Sequence, residues 1–141
     1  MRFMILLKAD ADSEAGVLPD ESLLTAMTRY NEELVRAGVM RAGEGLQASS
    51  QGARVRFSGE KRSVQKGPFG DPRNLLAGFW IFEVGSLDEA IEWVKRCPNP
   101  HAGEAEIEIR PIFEADDFGA ELTPELRQAE ERMRAEIERK N

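Results

Sequence analysis

The chain has one cysteine and one histidine in 141 residues. A lone Cys97 cannot close an intramolecular disulfide, nor can it supply the paired thiolates of a structural zinc site. No stretch approaches the ~20 apolar residues that a membrane helix needs. The apolar opening, residues 1–7, is cut off by Lys8 and Asp10, too soon for a signal peptide, so a cytoplasmic protein is expected. Positive charge is in deficit: 19 basic against 26 acidic side chains leave a net charge of −7. That balance opposes nonspecific binding to nucleic acid or an anionic membrane, and neither is expected as a partner. No P-loop, dinucleotide fingerprint or serine nucleophile elbow occurs, which sets those reactions aside.

What is present fits one domain with a sizeable core. Phe3, Ile5 and Leu7 alternate with Arg2, Met4, Leu6 and Lys8, a first strand. A polar loop over 10–16 follows. Asp20 then starts a helix whose Leu23, Met27, Tyr30 and Leu34 recur at helical spacing, and Gly38 stops it. Residues 39–46, punctuated by Gly43 and Gly45, read as a strand that bends or is closely approached by another backbone. Residues 53–66 read as a polar, peripheral hairpin carrying Arg54, Arg56, Lys61, Arg62 and Lys66. After the Gly67-Pro68-Phe69 corner, the apolar run over 78–84 predicts a buried strand.

Ser86 and Glu89 form a capping box for a helix with Leu87, Ile91 and Val94 on one face, ended at Cys97-Pro98. The loop over 99–103 leads to a last strand over 104–114. A tail follows, residues 115–141. It carries a helix begun by Thr123-Pro124, with Leu122, Leu126, Ala129, Met133 and Ile137 as a narrow apolar stripe. Without hairpin and tail the order is βαββαβ, a ferredoxin-like α+β sandwich with both helices on one sheet face. The other face, expected to hold Met4, Leu6, Trp80 and Phe82, is too apolar to remain open, so a second copy is expected to cover it.

The segments Asn31-Glu32-Glu33-Leu34, Gly43-Glu44-Gly45-Leu46-Gln47, Gly67-Pro68-Phe69, Gly78-Phe79-Trp80, Asp88-Glu89-Ala90-Ile91-Glu92-Trp93, Cys97-Pro98 and Glu106-Ile107-Glu108-Ile109-Arg110-Pro111, in that order, resemble the YCII-related family, also called the DGPF domain, over residues 1–114. The resemblance implies a ferredoxin-like subunit that forms a dimeric α+β barrel. The wider superfamily includes muconolactone isomerase-like and dehalogenating enzymes, quinone-forming monooxygenases and haem-handling proteins; some relatives lie beside sigma-factor genes, which implies a regulatory context. Lys66 stands where the family name has aspartate. The corner is therefore read as structural.

Candidate chemistry starts from side chains able to move a proton. His101 is the only histidine, but its setting between Pro98, Pro100 and Gly103 predicts a solvated loop. If that loop folds over a pocket, Glu106 or Glu108 orients its ring. Glu104, Glu106, Glu108 and Arg110 alternate onto one face of the last strand, a row in which mutual repulsion raises one carboxyl while Arg110 holds another ionised. Glu44, between glycines, joins from a neighbouring strand, and Trp80 supplies wall. The expected site is thus a pocket on the open sheet face of a homodimer, with Glu106, Glu108 and His101 for proton transfer and Arg110, Glu44 and Trp80 holding a small, anionic or aromatic ligand. The spacing of Glu44, Glu106 and Glu108 matches no calcium or zinc motif, and neither metal nor cofactor is expected. The alternative is a non-catalytic ligand-binding or regulatory module whose C-terminal helix meets a partner. Ordinary ion pairs on a solvated or dimer-facing strand would explain the same row.

Overall fold

The computed structural model describes residues 1–141. Two compact units divide at residue 111: Met1–Pro111 and Ile112–Asn141. In the first, β1 (Arg2–Lys8), β2 (Met40–Gly45), β5 (Leu76–Glu83) and β6 (Ile107–Pro111) form one antiparallel sheet in the order β2-β5-β1-β6. The hairpin strands β3 (Ala53–Ser58) and β4 (Lys61–Lys66) form a separate two-stranded sheet. With the hairpin set aside this is the ferredoxin-like order, each central strand running opposite to both neighbours.

Helices α2 (Glu21–Arg36) and α3 (Leu87–Lys95) join alternate strands. The Asp20 carboxylate accepts from the Leu23 amide at 2.8 Å to start α2, and Gly38 at φ 72° ends it. Ser86 caps α3 through the Glu89 amide at 3.1 Å, but Glu89 reaches back to the Gly85 amide, one residue before the expected partner. Tyr30 and Leu34 of α2 and Ala90 of α3 pack on Phe3, Ile5, Trp80 and Phe82 to make the core. The Tyr30 hydroxyl donates to the Trp93 carbonyl at 2.8 Å and ties the two helices together.

Register corrects one expectation. Ile5 pairs with Trp80 and Phe3 with Phe82, so both aromatics lie under the helices; Phe79 and Ile81 join Met4 and Leu6 on the other face. The strand is apolar on both sides, and alternation alone could not orient it. Its close packing has a local cause at Gly43, where a Cβ would stand 2.7 Å from Trp80 Cδ1. The last strand is also shorter than expected. Its ladder on β1 runs from Ile107 to Pro111, and Lys8 N–H donates beyond it to the Glu106 carbonyl at 3.2 Å. Residues 10–16, expected as a loop, include a one-turn helix α1 (Ala11–Glu14).

In the second unit, α4 (Pro124–Lys140) is capped by Thr123, whose hydroxyl accepts from Leu126 N–H at 3.2 Å. Glu136 and Lys140 pair at 3.0 Å along it. Phe113 stacks on Phe118, centroids 5.0 Å apart, and Arg127 bonds Asp116 at 3.0 Å.

Candidate active site

A cleft of about 1250 Å³ opens on the helix side of the sheet, and His101, Asp10, Asn31, Trp80, Gly43 and Leu7 all border it. The strands that border it are β2, through Gly43, Glu44 and Gly45, and β5, through Ala77, Gly78, Phe79 and Trp80, with Leu7 from β1. The last residue of β1 is Lys8, so the next two residues deliver Asp10 to the mouth, where its side chain caps α1: Oδ1 accepts from Ser13 N–H at 2.8 Å, and Asp10 N–H donates to Ser13 Oγ at 3.0 Å. From the other side, the proline-bracketed loop after α3 is folded by Asn99. The Asn99 Oδ1 atom accepts the His101 amide at 3.0 Å, and its Nδ2 donates to the Gly103 carbonyl at 2.9 Å.

These two constructions meet. His101 Nδ1 lies 3.2 Å from Asp10 Oδ2, and Nε2 lies 2.8 Å from the Lys8 carbonyl. A carbonyl only accepts, so Nε2 carries a proton and Nδ1 is the exchangeable position. The solvated loop expected for His101 is corrected here: its side chain is 8 % exposed, against 29 % for Asp10. Asp10 is the outward member of the pair. Its carboxyl is held below the usual 3.8, chiefly because the Ser13 amide donates to it; a smaller desolvation effect opposes this, and the Ser13 hydroxyl and His101 add to the lowering.

Opposite the pair, Trp80 Nε1 donates to Asn31 Oδ1 at 2.9 Å, and the Tyr30 ring meets the indole edge-on at 6.0 Å. A third group shapes the wall from behind. Glu14 accepts from Ser49 N–H at 2.9 Å and from Ser49 Oγ at 2.5 Å, while Ser49 Oγ accepts from Phe69 N–H at 3.1 Å. The Gly-Pro-Phe corner is thereby fastened to the loop whose Ala48, Ser50 and Gln51 border the cleft.

The fold separates the residues singled out in the sequence. His101, Trp80 and Glu44 border the cleft, whereas Glu106, Glu108 and Arg110 do not. Glu108 and Arg110 pair with Leu6 and Met4 across the ladder and so share the opposite sheet face. There Glu108 lies 3.6 Å from Lys8 Nζ and 3.3 Å from Arg110, whose side chain is 69 % exposed. Glu104 and Glu106 are exposed. Of the row, only Glu108 and Arg110 lie within the strand, on the open sheet face; the pocket expected on that face is corrected, because the cleft borders Trp80, Met27 and Asn31 on the helix side. Asp10 and Asn31 were not singled out. Their signal is faint: an Asp-x-x-Ser box at a strand end, and an asparagine on the buried side of an amphipathic helix. No group of three His, Cys, Asp or Glu side chains is placed to hold a metal.

The chain is similar to known proteins in sequence and, distantly, in structure. The model of the YCII-related domain matches residues 1–115. An uncharacterized protein of Rhizobium meliloti (strain 1021) is 27 % identical over 93 residues, covering 66 % of this chain and 75 % of that protein. A polyribonucleotide nucleotidyltransferase of Nostoc punctiforme is 29 % identical over 126 residues, covering 85 % of this chain but only 17 % of that much longer protein. Among solved structures, the 5-chloro-2-hydroxyhydroquinone dehydrochlorinase of Burkholderia phenoliruptrix AC1100, in complex with 2,5-dihydroxybenzoquinone, superimposes with a TM-score of 0.48 at 18 % identity, over 84 % of this chain and 100 % of that one. With a family match that spans residues 1–115 of 141, the chain belongs to the YCII-related domain family.

Proposed function

We propose that the protein is a small-molecule enzyme of proton-transfer type, with Asp10 and His101 as the acid–base pair. The observation that carries this is the single histidine, withdrawn from solvent yet bordering a large cleft, with Nε2 anchored on the Lys8 carbonyl and Nδ1 facing Asp10 Oδ2. A proton on the line between Nδ1 and Oδ2 passes to or from a substrate atom through Asp10, the member that faces the cleft. Anchoring on a backbone carbonyl fixes the ring orientation, and pre-set geometry of this kind is worth about 10²–10⁴ in rate for a positioned acid or base.

The test is deuterium exchange at enolisable carbon in a panel of small carbonyl compounds, read by proton NMR in D2O. Wild type is expected to accelerate exchange of at least one compound, and Asp10→Asn and His101→Gln to abolish it while retaining the wild-type circular dichroism spectrum. Exchange that survives in both variants overturns the assignment.

In this reading Glu106, Glu108 and Arg110 serve the assembly. Met4, Leu6, Phe79 and Ile81 form an apolar strip on the open sheet face, flanked by the pairs Lys8–Glu108 and Arg41–Glu83. A second copy that covers this strip gives a homodimer with charged rims. A second reading, a ligand-binding module without catalysis, is favoured by α4, whose Leu126, Met133 and Ile137 are exposed and offer a partner a narrow stripe. Deletion of residues 120–141 distinguishes the two: exchange activity survives it in the first reading, and capture of a partner is lost in the second.

A further inference from the structure

We infer that the cleft takes an uncharged or cationic compound with an apolar body and, in its preferred ligands, a carbonyl oxygen held by the Asn31 side-chain amide, and that it discriminates against carboxylates and phosphates. This rests on the reading of Asp10 and His101 as the reacting end of the same cleft. It replaces the anionic ligand and the Arg110 anchor expected from the sequence.

Asn31 is oriented by its partner. An indole N–H only donates, so the atom 2.9 Å from Trp80 Nε1 must be the amide oxygen, and the Asn31 NH2 group is left as the donor. Trp80 is held in turn by the Tyr30 ring and by contact with Gly43, where no side chain fits. The result is a hydrogen-bond donor fixed before any ligand arrives, suited to an acceptor such as a carbonyl oxygen.

Charge supplies the second constraint. The wall contains Asp10, Asp12 and Asp20 and neither lysine nor arginine; Glu44 also borders it but pairs with Phe79, and so its side chain shares the opposite sheet face. The one ring able to carry positive charge, His101, has both nitrogens occupied by Lys8 and Asp10. An entering carboxylate or phosphate would lose hydration against three acids without gaining a counter-charge, whereas a neutral carbonyl loses little. Leu7, Leu23, Met27 and Trp80 offer apolar surface for the rest of the molecule.

Benzamide, benzamidinium and benzoate share a ring and a planar head and differ mainly in charge, so they isolate the effect. Binding is followed on the full chain through the Trp80 indole and Asn31 amide cross-peaks of the ¹H–¹⁵N spectrum. Benzamide is expected to bind in the millimolar range, as its size allows, and benzoate at least about tenfold more weakly, with a wider gap at low salt. Asn31→Asp keeps an acceptor for Trp80 but removes the donor. It is expected to weaken benzamide about tenfold, the loss of one good hydrogen bond, and to tighten benzamidinium, with the Trp80 cross-peak retained. Benzoate binding as tightly as benzamide, or benzamide unaffected by Asn31→Asp, overturns the inference while the exchange experiment still judges the Asp10–His101 pair. Persistence of exchange in Asp10→Asn and His101→Gln removes that pair and leaves the order of binding to stand or fall by itself.

Discussion

Replacing Gly67 by alanine tests how the Gly-Pro-Phe corner serves the cleft. Gly67 is not in the left-handed region; its lack of a side chain matters because a Cβ there would lie 1.8 Å from the Ser49 carbonyl oxygen and 2.6 Å from its carbon. Ordinary contact begins near 3.4 Å, so the two backbone segments must part by roughly 1.5 Å. Four hydrogen bonds depend on that approach: Gly67 N–H to Gly52 O at 3.0 Å, Phe69 N–H to Ser49 Oγ at 3.1 Å, and the two from Ser49 to Glu14. Loss of two or three at about 1 kcal/mol each, with about 1–2 kcal/mol of overpacking strain, gives a destabilisation of roughly 3–5 kcal/mol. This is a large share of the ~5–15 kcal/mol that holds a domain together. Urea unfolding followed by circular dichroism measures it, with Gly52→Ala as control, since a Cβ there meets nothing closer than 3.6 Å. A Gly67→Ala midpoint equal to that of Gly52→Ala would mean that the corner does not depend on the close approach of Gly67 to Ser49.

Other expectations follow from the same contacts. Gly43→Ala should displace the Trp80 indole and cost about 1–3 kcal/mol of stability, because the new Cβ meets Trp80 Cδ1 at 2.7 Å and Met40 Cε at 2.6 Å; an unmoved Trp80 indole resonance counts against it. Tyr30→Phe should cost about 1 kcal/mol in urea unfolding, since the hydroxyl is buried and bonded to Trp93, although that carbonyl keeps a second donor in Arg96 N–H at 3.1 Å. Burial pushes the Cys97 thiol up to about 11, so its reaction with a disulfide reagent at pH 8 should be slow in the native protein and fast in urea. Asp10 has a folded value below its ordinary 3.8, so it contributes stability above that pH and loses it as pH falls through the folded value. The stability difference between wild type and Asp10→Asn should therefore shrink below pH 3.8, and a constant difference would contradict the hydrogen bond from Ser13.

The βαββαβ order was readable because each element signals itself locally: Asp20 and Gly38 bracket α2, Ser86 opens α3, and alternation marks β1 and β6. Facing was readable where one side of a strand is polar, as in β6. It was not readable in β5, where Trp80 and Ile81 are equally apolar and only pairing with Ile5 and Met4 decides. The candidate site was hidden for a related reason. Asp10 and His101 are ninety-one residues apart, and what unites them is the position of two loop ends beside Lys8, a tertiary fact with no local pattern. The row of glutamates was conspicuous because charge on a strand is easy to see, yet its members within the strand, Glu108 and Arg110, lie across the sheet from the cleft. Lys66 in place of an aspartate marks the Gly-Pro-Phe corner as structural, and the contact between Gly67 and Ser49 supplies a physical reason for its glycine.

Because the chain has a single histidine, ¹⁵N-histidine labelling reports on His101 alone. The long-range ¹H–¹⁵N spectrum of the imidazole, recorded for wild type and for Asp10→Asn, tests the proton-transfer pair most directly. The expected spectrum has a proton on Nε2 throughout the pH range in which the protein is folded, held by the Lys8 carbonyl, and an Nδ1 resonance that moves when Asp10 is replaced. A neutral ring with its proton on Nδ1, or an Nδ1 signal indifferent to Asp10→Asn, would contradict it.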